Sequence, residues 1–323
     1  ARSQPTAAWG PDPEVSPPPA PASPPTVQLI AGNPAASAQC VLGASGSPIA
    51  SRFNYIEGMA MAPDGALLLA DTYCYCIWRI ERGSHTVSVF AGQPGNKNNN
   101  DNHDTDATLG RLGDSHTIDI DVAGDVVVSQ DNTGTIRKIT SKSRRLSTLT
   151  SSFGTDVYAL SIDAKNGIYG RDGAVKYLPT PASPLQMVYS GSIRATAVNA
   201  SGDVFIALYS SGGIRRYEPG SAGTASFLSS ANAASASGLS FDGLGRLVYC
   251  HQGGSEDIRM YDHRTDTVHT VATAAQLGGD CLSVVVARDG TILASVADKA
   301  VAIVRSGLIE PFPDAAPCAE DWL

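Results

Sequence analysis

No stretch of this sequence approaches the roughly 18 consecutive apolar residues that a membrane-spanning helix needs, so direct membrane insertion by this segment is not expected. Positive charge is scarce as well. The 23 Lys and Arg against 31 Asp and Glu leave a net charge of -8. That balance argues against nucleic acid as a partner, because phosphate binding needs a clustered positive field. The compact basic group Lys138, Lys142, Arg144 and Arg145 reads as a solvated hairpin tip. No charged-then-apolar leader opens the chain, a pattern that a mature ectodomain shares. The six cysteines form no paired CxxC…CxxC spacing, so structural zinc is not expected. Gly-x-Ser-x-Gly, phosphate-cradling loops and His-Glu-x-x-His are missing, and no cofactor is expected. Helical periodicity is missing over any useful length.

Turn formers are plentiful, with 32 glycines and 20 prolines. The stretch 57–92, EGMAMAPDGALLLADTYCYCIWRIERGSHTVSVFAG, reads as four short strands joined by Gly-bearing turns, an antiparallel meander. Its first hairpin, MAPDGALLLAD at 61–71, recurs at 120–130, 161–172, 198–208, 241–250 and 286–296. Third strands follow as CIWRIE, TIRKIT, AVKYLP, GIRRYE, DIRMYD and AVAIVR. The turn glycines 65, 124, 167, 202, 245 and 290 lie 35 to 59 residues apart. A lone four-strand sheet cannot bury both faces, so six copies predict an all-β, six-bladed β-propeller.

The predicted domain plan has three parts. Residues 1–25, with the run PDPEVSPPPAPASPP, form a disordered linker or stalk. The propeller occupies 26–318, and 319–323 are a tail. The segment TVQLIAG at 26–32 resembles the first repeat's fourth strand, TVSVFAG, and should close the ring against the last blade. Leu308 to Phe312 also reads as a fourth strand for that blade, so two segments compete for one edge.

The hairpin LLLADTYCYCIWRI resembles the hallmark of NHL repeats, through Ala70, Asp71, Thr72, Ile77 and Arg79, with Cys74, Tyr75 and Cys76 in place of the usual Asn-His-Arg. Repeat two keeps Asp131, Asn132, Ile136, Arg137 and Lys138, and the loop AGQPGNKNNNDNHDTDATLGRL has the family layout. The resemblance spans roughly 26–312 and is specific for the first two repeats. NHL propellers include protein-binding modules, RNA binders, sensor ectodomains and occasional enzymes. Extracellular members with cysteine-substituted hairpins are similar to flagellum-attachment adhesion glycoproteins of trypanosomatid parasites. The Ala/Ser/Pro-rich bias and stalk-like N-terminus share that likeness.

Propeller topology places all six cysteines on one face, where the second-to-third strand loops and blade-to-blade loops open. Cys250 with Cys281 is the expected pair between neighbouring blades. Cys40 and Cys318 then partner Cys74 and Cys76, in either order. Three disulfides imply a secretory compartment. The triplet Asn199-Ala200-Ser201 is a glycosylation candidate, although it sits on a tight turn.

Counting back from each hairpin puts Glu57, His116, Tyr158, Arg194, Ser237 and Leu282 at one ring level in the axial funnel. Asp114, Asp156 and Asp280 lie among the residues one step above. These could bind a small polar ligand, with Glu57 and His116 as acid/base pair or metal ligands; solvated channel walls read the same way. Glu57-Gly58 also resembles the metal-binding Glu-Gly of gluconolactonase-like propellers, without that family's other ligand motifs. Asp101, Asp104 and Asp106 could cradle Ca²⁺ or form a plain polar loop. Tyr73, Tyr75 and Trp78 are interface candidates at the loop face, with burial between blades the other reading for Trp78. Two functions follow. One is an extracellular or cell-surface module that binds another protein through the loop face and is not an enzyme. The other is a metal-dependent hydrolase or lyase with its site in the funnel.

Overall fold

Blades two to five are each set up by a turn whose leading side chain is an acid or an amide. Asp121 Oδ1 accepts the amides of Ala123 and Asp125, both at 2.9 Å. Asp163, Asn199 and Asp242 repeat the pattern on the residues two and four further along. These side chains satisfy amides that a tight turn leaves unpaired. At Gly124 and Gly202 φ is 82° and 88°, the left-handed region that costs glycine least.

The computed structural model describes residues 24–97, 104–131, 133–209 and 212–312. Within them the hairpins form six antiparallel sheets, a six-bladed β-propeller. Blade one comprises Ile56–Met61, Leu67–Asp71, Cys76–Ile80 and Val87–Gly92. The first strands of the following blades are Ser115–Ile120, Leu160–Ile162, Ile193–Val198, Ser237–Phe241 and Val284–Val286. Each touches the next, and the sixth returns to the first, so the six surround the axis.

Second strands are apolar at nearly every position because both of their faces are covered. Alternation divides one strand between two cores. Leu67 and Leu69 pack with Leu293 and Ile303 of blade six, whereas Leu68 and Ala70 pack with Val126 and Val128 of blade two. The basic end of the third strand has a reason too. Lys138 reaches Asp121 at 2.7 Å, and Arg216 reaches Asp203 at 2.8 Å, tying it to the first hairpin turn.

The ring closes on Thr26–Gly32, which pairs antiparallel with Ala300–Arg305 as the outermost strand of blade six. Leu308 to Phe312 forms no strand. Pro311 lacks the N–H a ladder needs, and the segment instead crosses toward blade five. Gly243 N donates to Glu310 O at 3.1 Å, and Phe312 N donates to Arg288 O at 2.8 Å. Blade two gains an unforeseen fifth strand, Thr105–Asp106, outside Arg145–Thr150. Apart from Pro24 and Pro25, the Pro-rich run lies outside the described residues, as do Asp101, Asn132, Cys318 and 319–323. Among the described residues no helix is long and apolar enough to cross a membrane.

Candidate functional site

Four first strands bulge at the same level, near the open end of the axis. The pairing shifts at Glu57 in blade one, at His116–Thr117 in blade two, at Arg194 in blade four and at Gly238–Leu239 in blade five. A bulge inserts a residue on one strand and re-aims the side chains beside it. Glycine lets the strands meet there: a Cβ on Gly58 would lie 2.7 Å from His116 O, and one on Gly238 would lie 2.6 Å from Ser283 Cα. Residues of all six first strands line an axial cavity of about 880 Å³. Its mouth is polar and its waist mixed, with Met61, Ile120, Leu160, Leu239 and Val285 interleaved with Thr117, Asp119, Ser161, Thr196 and Ser240 in the lining, and Phe312 at the far end.

At the mouth, His116 sits between two carboxylates. Its Nδ1 bonds Glu57 Oε2, and its Nε2 lies 3.3 Å from Asp131 Oδ2. Thr72 Oγ1 steadies Glu57 at 3.1 Å, and the Tyr158 ring meets the imidazole edge-on with centroids 4.5 Å apart. Burial alone would lower the His116 pKa, but the Glu57 hydrogen bond and charge, joined by Asp131, raise it above the ordinary 6.5. Tyr158 is pushed up to about 12, by burial first and then by Asp131.

The opposite wall is cationic. The Arg171 guanidinium lies 4.6 Å from the Tyr158 ring centroid and 5.5 Å from that of Tyr209, and Arg194 lies 5.2 Å from Tyr209. Arg194 donates to Gln252 Oε1, and Gln252 Nε2 donates to Cys281 O at 2.9 Å. The blade five–six disulfide thereby braces the arginine through one amide side chain. On the blade one–six side, Asp298 is pushed up to about 6 by burial and by the charges of Asp280 and Glu57. Tyr55 rises to about 12 by burial and its neighbours Glu57 and Asp298.

Of the residues expected in the funnel, Glu57, Tyr158, Arg194, Ser237 and Leu282 line it, with His116 packed against Glu57. Asp114 is held by Lys97 at 2.6 Å, and Asp156 N donates to Asp172 Oδ1 at 3.3 Å. Asp280 serves the acidic wall beside Asp298. Asp131, Arg171, Tyr209, Gln252 and Asp298 were missed. Their signal was present, a polar or aromatic residue at the end of nearly every second strand, where the loop turns into the mouth.

Other expectations are corrected. Trp78 is fully buried, its Nε1 donating to Asp71 Oδ2 at 3.0 Å, so it belongs to the blade core and not the loop face. Asn199 is 8% exposed and its Oδ1 caps the turn through Ser201 and Asp203, which leaves its side-chain amide little access for a glycan. Asp104 pairs with Arg145 at 2.9 Å and Asp106 caps Thr108, while Asp101, the third proposed calcium ligand, lies outside the described residues. Among the described residues no group of three or more His, Cys, Asp or Glu side chains is arranged to hold a metal ion. The metal implied by the gluconolactonase-like resemblance therefore does not fit this donor set.

Cys250 pairs with Cys281, and Cys40 pairs with Cys74, which selects one of the two open pairings. Cys76 faces the core between blades one and six, fully buried, and burial raises its thiol well above the ordinary value. Its proposed partner Cys318 lies outside the described residues. Tyr73 is 50% exposed and packs on Tyr55 at 5.1 Å, while Tyr75 carries Lys97 5.6 Å from its ring centroid.

A pH prediction follows from His116. A raised folded-state pKa contributes stability that is full below the unfolded value and fades as pH rises through the folded one. His116→Asn should therefore cost most at acidic pH, and its deficit should shrink with rising pH, read by urea denaturation between about pH 5 and pH 9. A deficit that does not vary with pH would count against the two-carboxylate clamp.

No protein-family model matches the chain, and no curated protein matches it in sequence. Solved structures align with this propeller. An auxiliary nutrient binding protein from Bacteroides ovatus aligns with TM-score 0.62 at 14% identity, over 88% of this chain and 77% of its own. A gluconolactonase from Xanthomonas campestris aligns at 0.61 and 12%, over 89% and 97%. A streptogramin B lyase aligns at 0.57 and 10%, over 88% and 98%. At these identities the likeness is one of fold, and it spans binding proteins and enzymes alike.

Proposed function

We propose that this chain is an extracellular, NHL-type propeller of the adhesion or receptor kind, which binds a cell-surface protein through the disulfide-braced loop face. One observation carries the reading. Val41, Leu42, Ile49 and Tyr73 are 46%, 42%, 50% and 50% exposed, and all stand on the two loops that Cys40–Cys74 joins. The longer loop is internally stiff: Val41 and Arg52 exchange backbone hydrogen bonds, and Gly43 N donates to Ser51 Oγ at 3.1 Å. A grouped, rigid apolar patch lowers the ordering cost of association, and a Tyr is a favoured anchor. The two disulfides agree with an oxidising compartment.

The test is capture from surface-labelled cells with the wild type and with Leu42→Asp/Tyr73→Ala. Loss of hot-spot residues should weaken capture by about thirtyfold or more. Equal capture by the variant, or six free thiols in the unreduced, denatured protein, would reject the proposal. An enzymatic reading would rest on Glu57, His116 and Asp131. In this geometry both imidazole nitrogens are already engaged, which favours holding the wall over moving protons.

A further inference from the structure

The funnel has two walls of opposite charge; His116 partly meets the acidic one at Glu57, whereas the cationic one has no such counterpart among the described residues. Among the described residues no carboxylate forms an ion pair with Arg171 or Arg194, although both guanidinium groups flank the Tyr209 ring. Arg194 Nε is buried without a hydrogen-bond partner. On the facing wall, Asp298 Oδ1 is likewise buried without a hydrogen-bond partner, and the acids Asp280 and Glu57 outweigh the more weakly felt Lys299 and Arg194 around it. Between the walls, Ser237 is 6% exposed and lines the cavity with an Oγ that also lacks a partner. Buried polar atoms are nearly always satisfied, so three such atoms on blades four, five and six point to groups that a ligand supplies. The apolar side chains of the waist below, Leu239 and Val285 among them, can take a hydrocarbon body.

We infer that the axial funnel binds a free α-amino acid with an apolar side chain. Its carboxylate sits against Arg171 and Arg194, a planar, bidentate match. Its ammonium faces Glu57, with the charge of Asp298 behind the lining, and its side chain enters the waist past Leu239 and Val285. A zwitterion neutralises both walls at once. An amine or an acid neutralises one and leaves the other buried and unpaired, which is where selectivity arises. The disulfide–Gln252–Arg194 relay keeps the anion side in place before the ligand arrives.

Titration calorimetry and thermal melting of the full chain test this with L-phenylalanine, phenethylamine, 3-phenylpropanoate and D-glucose. L-Phenylalanine should bind and raise Tm. Each one-charge analogue should bind about ten- to hundredfold more weakly, the loss expected for one charged hydrogen bond. Arg194→Gln should weaken L-phenylalanine by the same factor. Asp298→Asn should weaken L-phenylalanine but leave 3-phenylpropanoate unchanged, a pattern that misfolding does not produce. The Leu42→Asp/Tyr73→Ala protein should bind as the wild type does, which separates this site from the loop face. The inference is overturned by equal affinities for the three aromatic probes, by preference for glucose, by no binding to folded wild type, or by variants that bind L-phenylalanine unchanged.

Discussion

Arg246→Ala should destabilise the propeller by about 3–5 kcal/mol, because it strands the buried Asp242 carboxylate, while Asp262 keeps Arg264 at 2.7 Å. The side chain is 1% exposed. Its Nη2 lies 2.6 Å from Asp242 Oδ2, its Nη1 lies 3.7 Å from Asp262 Oδ2, and both acids are fully enclosed. The same Nη2 holds Leu308 O at 2.5 Å, and Asp242 uses its other oxygen to cap the blade-five turn. One guanidinium thus secures a hairpin and the segment that runs on to Phe312 at the base of the cavity. Denaturant melts should show the loss, with a Tm drop of roughly 10 °C. Limited proteolysis should also find residues 306–312 newly accessible. Arg246→Lys should recover part of the loss by keeping the charge. A variant within about 1 kcal/mol of wild type would mean that the network contributes little beyond apolar packing.

Removing the closing strand should have the largest effect of all. Deleting Thr26–Gly32 would bare the edge of Ala300–Arg305, whose Val301, Ile303 and Val304 are fully buried in the intact ring. It would also remove Ile30 and Ala31 from the core beside Phe53 and Trp78. Loss of several buried side chains amounts to about 5 kcal/mol or more, comparable with the whole stability of many domains. An unpaired apolar edge invites pairing between molecules. Size-exclusion chromatography should find oligomers or aggregate where the wild type runs as one species. Ile30→Asp, which places one charge in that core, should lower Tm without abolishing the fold. A monomeric deletion variant with wild-type Tm would show that the ring closes by other means.

The blades were legible in the sequence because their information is local. An Asp or Asn, a glycine three or four residues later, and alternating apolar residues specify a hairpin wherever they occur. The likeness of TVQLIAG to TVSVFAG pointed to the closing strand, but Leu308 to Phe312 competed for the same edge until the structure decided between them. Cys250 and Cys281 were legible through topology alone, each lying at the mouth of neighbouring blades. Trp78 and Asn199 were not. Whether an indole faces solvent or its neighbour's core depends on how blades stack. Whether an amide is free depends on the turn it has been recruited to hold.

What the sequence by itself determined is the repeat, the number of blades and the candidates that could face the axis, because strand periodicity and turn chemistry are short-range. Only the tertiary structure decided which of them share a site. Bulges at Glu57, His116–Thr117 and Arg194 shift the pairing by one residue, and a shift of one residue reverses the face a side chain takes. Asp131, Arg171 and Asp298 come from loops that are distant in the chain and adjacent only once the ring has closed. The charge division across the funnel is a property of that closed ring, and no single blade contains it.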